Sequence, residues 1–240
     1  MPHRQNYILN RLEPALLAQV APYLSTVDLR HHDVLAETHE RIETVYFPHS
    51  GIISCVVELV GGGAIETGMI GNDGEFGASQ ALDDKVSLNH VVIQVPGTAS
   101  VISSDRIRVV ANDVPAFRGL LIKYEQFFLS QVQQTAACNA VHSVQARICK
   151  WLLRMHDLVG PDLNLTQEFL AQMMGVRRTS VTEVAGELQR AGMIRYTRGH
   201  IHITDIEQVR AWACECDNDI RSHYRRIFQS NEADVQKEAL

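Results

Sequence analysis

The chain has 240 residues, 45% hydrophobic and 21% charged, with a formal net charge of −6. That length suits about two domains with separate cores. The composition excludes a fibrous or disordered chain, and the negative sum excludes nucleic-acid binding by the chain as a whole.

The N-terminus, MPHRQNYILNRLEPALLAQV, is interrupted by Arg4, Asn6, Asn10, Arg11 and Glu13, so no signal-peptide core fits there. No apolar run reaches membrane-spanning length, so the expected location is the cytoplasm, with no membrane partner. Ile8, Leu12, Leu16, Leu17, Val20 and Leu24 space as a short amphipathic helix broken near Pro14. From about 26 to 102 the texture turns to short β-rich runs. Turn signals separate them at 48–51, 61–63, 71–74 and Pro96-Gly97, a pattern that predicts an antiparallel barrel or roll. Ser104-Asp105 predicts a short helix. Asp113 is expected to cap a longer one that starts near Pro115. On it, Phe117, Leu121, Tyr124, Phe128, Gln131, Thr135 and Cys138 recur in steps of four and three. This heptad rhythm fits either a core stripe against the roll or the seam of a homodimer, and the seam is the preferred reading. A hinge near Asn139 and a helix over about 141–158 follow, ended by Gly160-Pro161.

The next segment carries the function. In LTQEFLAQMMGVRRTSVTEV, Thr166 can cap a helix and Glu168 sits in its first turn. Ala171 is small enough for a close helix crossing, and Gly175 suits a turn that needs positive φ. Leu170, Met174, Val176, Val181 and Val184 supply apolar contacts. Two helices joined by such a turn form the unit that lays its second helix in the DNA major groove. Met193–Tyr196 and His200–Ile203 read as two strands around Arg198-Gly199, a wing, and Asp205 with Gln208 reads as the capping box of a final helix. Charge agrees: residues 1–138 hold nine Lys+Arg against fifteen Asp+Glu, whereas 177–198 hold five arginines against Glu183 and Glu187.

The order of roll, long helix, hinge, helix-turn-helix and wing, together with LTQEFLAQMMGVRRTSVTEVAGELQRAGMIRYTRGHIHITD, resembles the Crp/Fnr superfamily of bacterial transcription regulators. The resemblance implies an α+β fold with a cyclic-nucleotide-binding-like antiparallel β-roll, a long dimerisation helix and a C-terminal winged helix-turn-helix. The expected divisions are 1–112, 113–138 and 139–229, with a tail at 230–240. It implies a homodimer on double-stranded DNA with a two-fold site, and contact with RNA polymerase. The expected DNA-binding residues are Thr166, Gln167, Arg177, Arg178, Thr179, Ser180, Thr182, Glu183 and Arg198. The family's recognition core reads Ser-Arg-Glu-Thr-Val-Ser/Gly-Arg, whereas this chain has Arg177, Arg178, Thr179, Ser180, Val181, Thr182 and Glu183. Arg178 keeps the arginine suited to guanine, while Thr179 and Glu183 depart from the pattern, so base preference does not transfer.

Gly74-Glu75-Phe76-Gly77-Ala78 resembles the first half of the family's nucleotide cassette. The second half, expected near 86–91, reads Val-Ser-Leu-Asn-His-Val and lacks the phosphate-pairing arginine. A buried cyclic phosphate needs a positive partner, which Lys85 would supply only by unusual geometry. Glu75, Phe76, Gly77, Ser79 and Asn89 are the residues expected at an altered effector pocket. Residues 1–54 contain no cysteine, which removes the N-terminal iron–sulfur mode. No cofactor and no metal is expected. Haem is the least excluded, with His31, His32, His39, His49, His90, Cys55 and Pro2 as available ligands, yet scattered histidines are usually hydrogen-bonded or solvated. Cys214 and Cys216 are expected on one helix, pointing apart, as a poor metal pair. Cys138 is expected either as a packed thiol or as a redox switch across a dimer axis. No P-loop, Gly-x-Ser-x-Gly or metal-spaced His/Glu pair is present, so no catalysis is expected. The competing expectation is a ligand-binding regulatory module that acts through protein–protein contacts.

Overall fold

The structure is a computed structural model that describes residues 2–83 and 86–229. Lys85 and the 230–240 tail lie outside them. The chain divides into two compact units. The first runs to Tyr124 and includes Gln172–Gly175; the second holds Glu125–Ala171 and the chain from Val176 onward.

The first unit opens with a 3-10 turn, Pro2–Gln5, then α1 (Tyr7–Asn10), α2 (Pro14–Val20) and a second such turn at Ala21–Tyr23. Asn6 anchors this start. Its Oδ1 accepts the N–H groups of Ile8 and Leu9 at 3.0 and 3.2 Å, while its Nδ2 donates to the carbonyls of Pro48 and Gly74 at 2.9 and 2.7 Å. A buried carboxamide with all these bonds made holds the N-terminus to the strands at little desolvation cost.

The strands are β1 (Ser25–Leu29), β2 (Val34–Ala36), β3 (Thr44–Pro48), β4 (Ile52–Glu58) and β5 (Ala64–Ile70). After the short α3 (Ala78–Leu82) come β6 (His90–Val95) and β7 (Gly97–Ser103). They form two antiparallel sheets, ordered β1-β7-β3 and β2-β6-β4-β5, which is the expected roll. Val45 and Phe47 of β3 are fully buried, and β4 is buried over its first five residues. The register of β4 shifts at Ile52/Ile53 and Cys55/Val56, bulges that bend the strand.

Next come α4 (Ser104–Asp113) and α5 (Pro115–Val141). Asp113 does not cap α5; it is the last residue of α4, whose own cap is Ser103, accepting from the Arg106 N–H. The stripe on α5 is mainly core. Phe117, Leu121 and Tyr124 are at most 1% exposed within one chain, and Phe117 lies 6.1 Å from the Phe47 ring. Gln131 and Cys138 are buried as well, while Phe128 and Thr135 are half-buried. Phe117, Leu121, Tyr124, Gln131 and Cys138 thus fit the core-stripe alternative, while Phe128 and Thr135 keep part of their surface open. The large apolar residues α5 leaves to solvent are Ile122, Leu129 and Val141.

In the second unit α5 continues to Val141, past the expected hinge, and Ser143 caps α6 (Val144–Val159) by accepting from the Ala146 N–H. After β8 (Asp162–Leu163) come α7 (Gln167–Met174), α8 (Arg178–Arg190), β9 (Ile194–Thr197), β10 (His200–Ile203), α9 (Ile206–Trp212) and α10 (Cys216–Gln229). The expected single final helix is therefore two, broken at 213–215. Phe127 of α5 meets Tyr224 of α10 edge-on at 5.1 Å. Arg221 of α10 pairs with Asp157 of α6 at 2.5 Å and with Asp217 at 2.9 Å. No helix of the described residues is long and apolar enough to cross a membrane.

Candidate nucleic-acid interface

Thr166 starts the helix-turn-helix. Its hydroxyl accepts the Phe169 N–H at 3.1 Å, one of the orphan donors of the first turn of α7. Gly175 takes φ +62° in the turn, and the chain re-enters helix at Arg178. α8 is two-faced. Val181, Val184, Ala185 and Leu188 are buried, each large one contributing roughly 1.5–3 kcal/mol. Arg178, Thr179, Thr182 and Glu183 face solvent, and Ser180 is half-buried. Arg177 occupies the cap position with extended backbone and makes no side-chain capping bond, so its guanidinium stays exposed beside the open amide end of the helix.

Two bonds lock α8 to α7. The Thr182 hydroxyl lies 2.7 Å from Gln167 Oε1 and 3.0 Å from the Arg178 carbonyl. The Arg178 guanidinium lies 3.2 Å from Glu168 Oε2, with both side chains well exposed. Local pattern marks Glu168 only as a first-turn residue; its part in holding Arg178 needs the crossing of the two helices, which no local pattern contains.

The wing has three strands, ordered β8-β10-β9, rather than two. β8 escapes sequence reasoning because only Asp162 and Leu163 pair, opposite His202 and Ile201. Its Asp162 carboxylate accepts from His202 at 2.8 Å, which holds the carboxyl below its usual range. Gln189 of α8 accepts the Tyr196 N–H at 2.8 Å and fastens β9. Gly199 takes φ +77° at the tip, where a Cβ would stand 3.9 Å from the Thr166 methyl. The tip, with exposed Arg198, thus lies beside the start of α7.

This geometry has known counterparts. Residues 146–212 match the family model of the Crp-like helix-turn-helix domain. The chain carries a Crp-like helix-turn-helix domain. Its fold is that of the Crp/Fnr regulators. The structure of FixK2 from Bradyrhizobium japonicum superposes with a TM-score of 0.68 at 12% identity, over 80% of this chain and 98% of that one. The c-di-GMP responsive global regulator CLP of Xanthomonas campestris gives 0.63 at 16% identity, over 80% and 99%. A Crp/Fnr-family transcriptional regulator from Thermus thermophilus gives 0.64 at 20%, over 79% and 98%. None of the curated proteins matches the sequence.

In this Crp/Fnr fold the expected effector residues are engaged with their own chain. Glu75 is buried, and its Oε2 accepts the Ala78 N–H at 2.9 Å. Phe76 exchanges both backbone bonds with Tyr46 at 2.9 Å, and the two rings stack. A Cβ on Gly74 would fall 2.0 Å from the Tyr124 hydroxyl, so packing requires a glycine at this position. Ser79 donates to Gln80, and Asn89 sits in a turn closed by Ser87. Sequence reasoning missed Gln94 on β6, whose buried carboxamide has no hydrogen-bond partner among the described residues.

The thiols depart furthest from expectation. None of the five cysteines is in a disulfide. Cys149 is buried in α6, and burial pushes its thiol up to about 12. Cys214 and Cys216 do not share a helix: Cys214 lies in the break after α9 and Cys216 opens α10. The break turns both toward Cys138 and His142, and the four ligand atoms lie within 4.8 Å of one another. The expectation that these two cysteines point apart, with no further ligands nearby, is thereby corrected.

Proposed function

We propose that this chain is a homodimeric, sequence-specific transcription regulator that reads a two-fold site in double-stranded DNA. The carrying observation is the solvent face of α8, where Arg178, Thr179, Thr182 and Glu183 stand together above an uncapped amide end, flanked by Arg177 and the wing's Arg198. Arg178 reads guanine, Thr179 and Thr182 offer hydroxyls to base edges, and Glu183 accepts from cytosine. Arg177, Ser180, Thr166, Gln167 and Arg198 contact phosphates and set the register. Two heads lie about one DNA turn apart, so the half-sites are spaced accordingly.

Dimerisation uses the outer face of α5, where Ile122 and Leu129 are one heptad apart and 55% and 54% exposed. The roll serves as the sensing domain, with contact to RNA polymerase following from the family's mode of action. Its effector is not a cyclic nucleotide bound in the family manner. One Glu75 oxygen accepts the Ala78 N–H, and the residues 86–91 carry no arginine to pair a phosphate.

The test is selection of bound sequences from a random DNA pool, followed by titration of the recovered site at several salt concentrations. Arg178→Ala is expected to lose about 1–3 kcal/mol of discrimination at one base pair per half-site while the dimer persists. Unchanged affinity and base preference at fixed salt would remove Arg178 from the reading role.

A further inference from the structure

Cys138 and His142 are four apart where α5 ends, and the His142 N–H still bonds to the Cys138 carbonyl at 3.1 Å, so both side chains share one face. The break between α9 and α10 brings Cys214 and Cys216 onto that face. Cys138 Sγ lies 3.5 Å from Cys214 Sγ, and Cys216 Sγ lies 3.5 Å from His142 Nδ1. A tetrahedral ion with sulfur ligands at about 2.3 Å and an imidazole nitrogen at about 2.0 Å sets S···S edges of about 3.8 Å and S···N edges of about 3.5 Å. These two separations match those edges to within a few tenths of an ångström, and all four ligand atoms lie within 4.8 Å of one another. A disulfide between Cys138 and Cys214 would account for two of the four groups and leave the other two without a reason to converge.

The surroundings are those of a supported site. His142 directs Nδ1 inward, while its Nε2 lies 3.2 Å from Glu215 Oε1, the carboxylate–histidine arrangement that orients a ligating ring. Gln134 Nε2 donates to Cys216 Sγ at 3.1 Å, a bond that favours a thiolate. Lys150, held on Thr135 at 3.3 Å, brings positive charge toward Cys138. Cys138 and Cys216 are 1% exposed, whereas His142 is half-buried and leaves a path for entry.

We propose that Cys138, His142, Cys214 and Cys216 form a tetrahedral site for one divalent ion of the zinc class. Four protein ligands and no open position make it structural rather than catalytic. Bound there, the ion joins the end of α5, the α5–α6 bend and the α9–α10 corner within the second unit, and it binds with release of the thiol protons.

The test uses the reduced full chain without DNA, so its failure is distinct from failure of the regulator reading. Zinc content is measured, and cobalt(II) is then titrated in competition with a chromophoric chelator. One ion per chain is expected, with sulfur-to-cobalt charge transfer and the intense visible bands of tetrahedral cobalt. Cys216→Ser is expected to lose the ion, Glu215→Gln to weaken it about 10–100-fold, and Cys149→Ser to keep it. If Cys216→Ser does not fold, the wild-type cobalt spectrum and Glu215→Gln still decide. Reduced wild-type chain that takes up neither metal, or an octahedral spectrum without sulfur charge transfer, overturns the proposal. So does full affinity in Cys216→Ser.

Discussion

Glu168 bears on the reading role proposed for Arg178. Its carboxylate holds the Arg178 guanidinium at 3.2 Å on the exposed surface. An exposed pair of this kind is worth about 0.2–1 kcal/mol, so in the proposed complex DNA would displace it readily, and while it persists Arg178 is neutralised. Glu168→Gln frees the guanidinium and removes a negative charge from the DNA-facing side. The expected result is operator affinity higher by a few-fold, with a steeper dependence of binding on salt and a loss of a few tenths of a kcal/mol in helix stability at the first turn of α7. Fluorescence anisotropy at several salt concentrations measures both. A fall in affinity would mean instead that Glu168 aims Arg178 at its base.

At the scale of elements, what local sequence decides was legible and what long separations decide was not. The roll, the turn at Gly175 and the wing hairpin follow from alternation, turn residues and capping, all within a few residues of chain. The α5 stripe is ambiguous in sequence because steps of four and three fit a core as well as a dimer. Only burial distinguishes them, and it shows Phe117, Leu121 and Tyr124 facing inward. The thiol site is invisible in the sequence because Cys138 and Cys214 are 76 residues apart and the break at 213–215 lacks a Gly or Pro to mark it. With the inner stripe accounted for, the α5 prediction moves to the outer one. In the proposed dimer, Leu129→Glu places a charge at an apolar contact repeated in both protomers, at a cost of roughly 3–5 kcal/mol per dimer. Sedimentation velocity is expected to show monomers at concentrations where the wild type is dimeric, with the melting temperature nearly unchanged. A variant that remains dimeric places the interface elsewhere.

The whole molecule has a built-in way of telling its two units apart as pH falls. In the first unit His3 and His49 share the Ser100 hydroxyl, with ring nitrogens at 2.7 and 2.6 Å. Burial holds both imidazoles below their ordinary value of 6.5, and His49 is lowered further by the facing His3. For a histidine depressed in the folded state, the unfolded chain takes up the proton first. The stability is therefore intact above 6.5 and is lost as pH falls toward the folded values. In the second unit Asp162 is depressed below 3.8 by its bond from His202, so its contribution is lost only in far stronger acid. Both tryptophans, Trp151 and Trp212, belong to the second unit and report on it alone. In the metal-free chain, between about pH 7 and about pH 5, the melting transition seen by far-ultraviolet circular dichroism is expected to fall, while the one seen by tryptophan emission holds. A chain carrying His3→Gln and His49→Gln should lose most of that pH dependence. Emission that shifts in step with the dichroism, or a double variant as acid-sensitive as the wild type, would refute the assignment to this histidine pair.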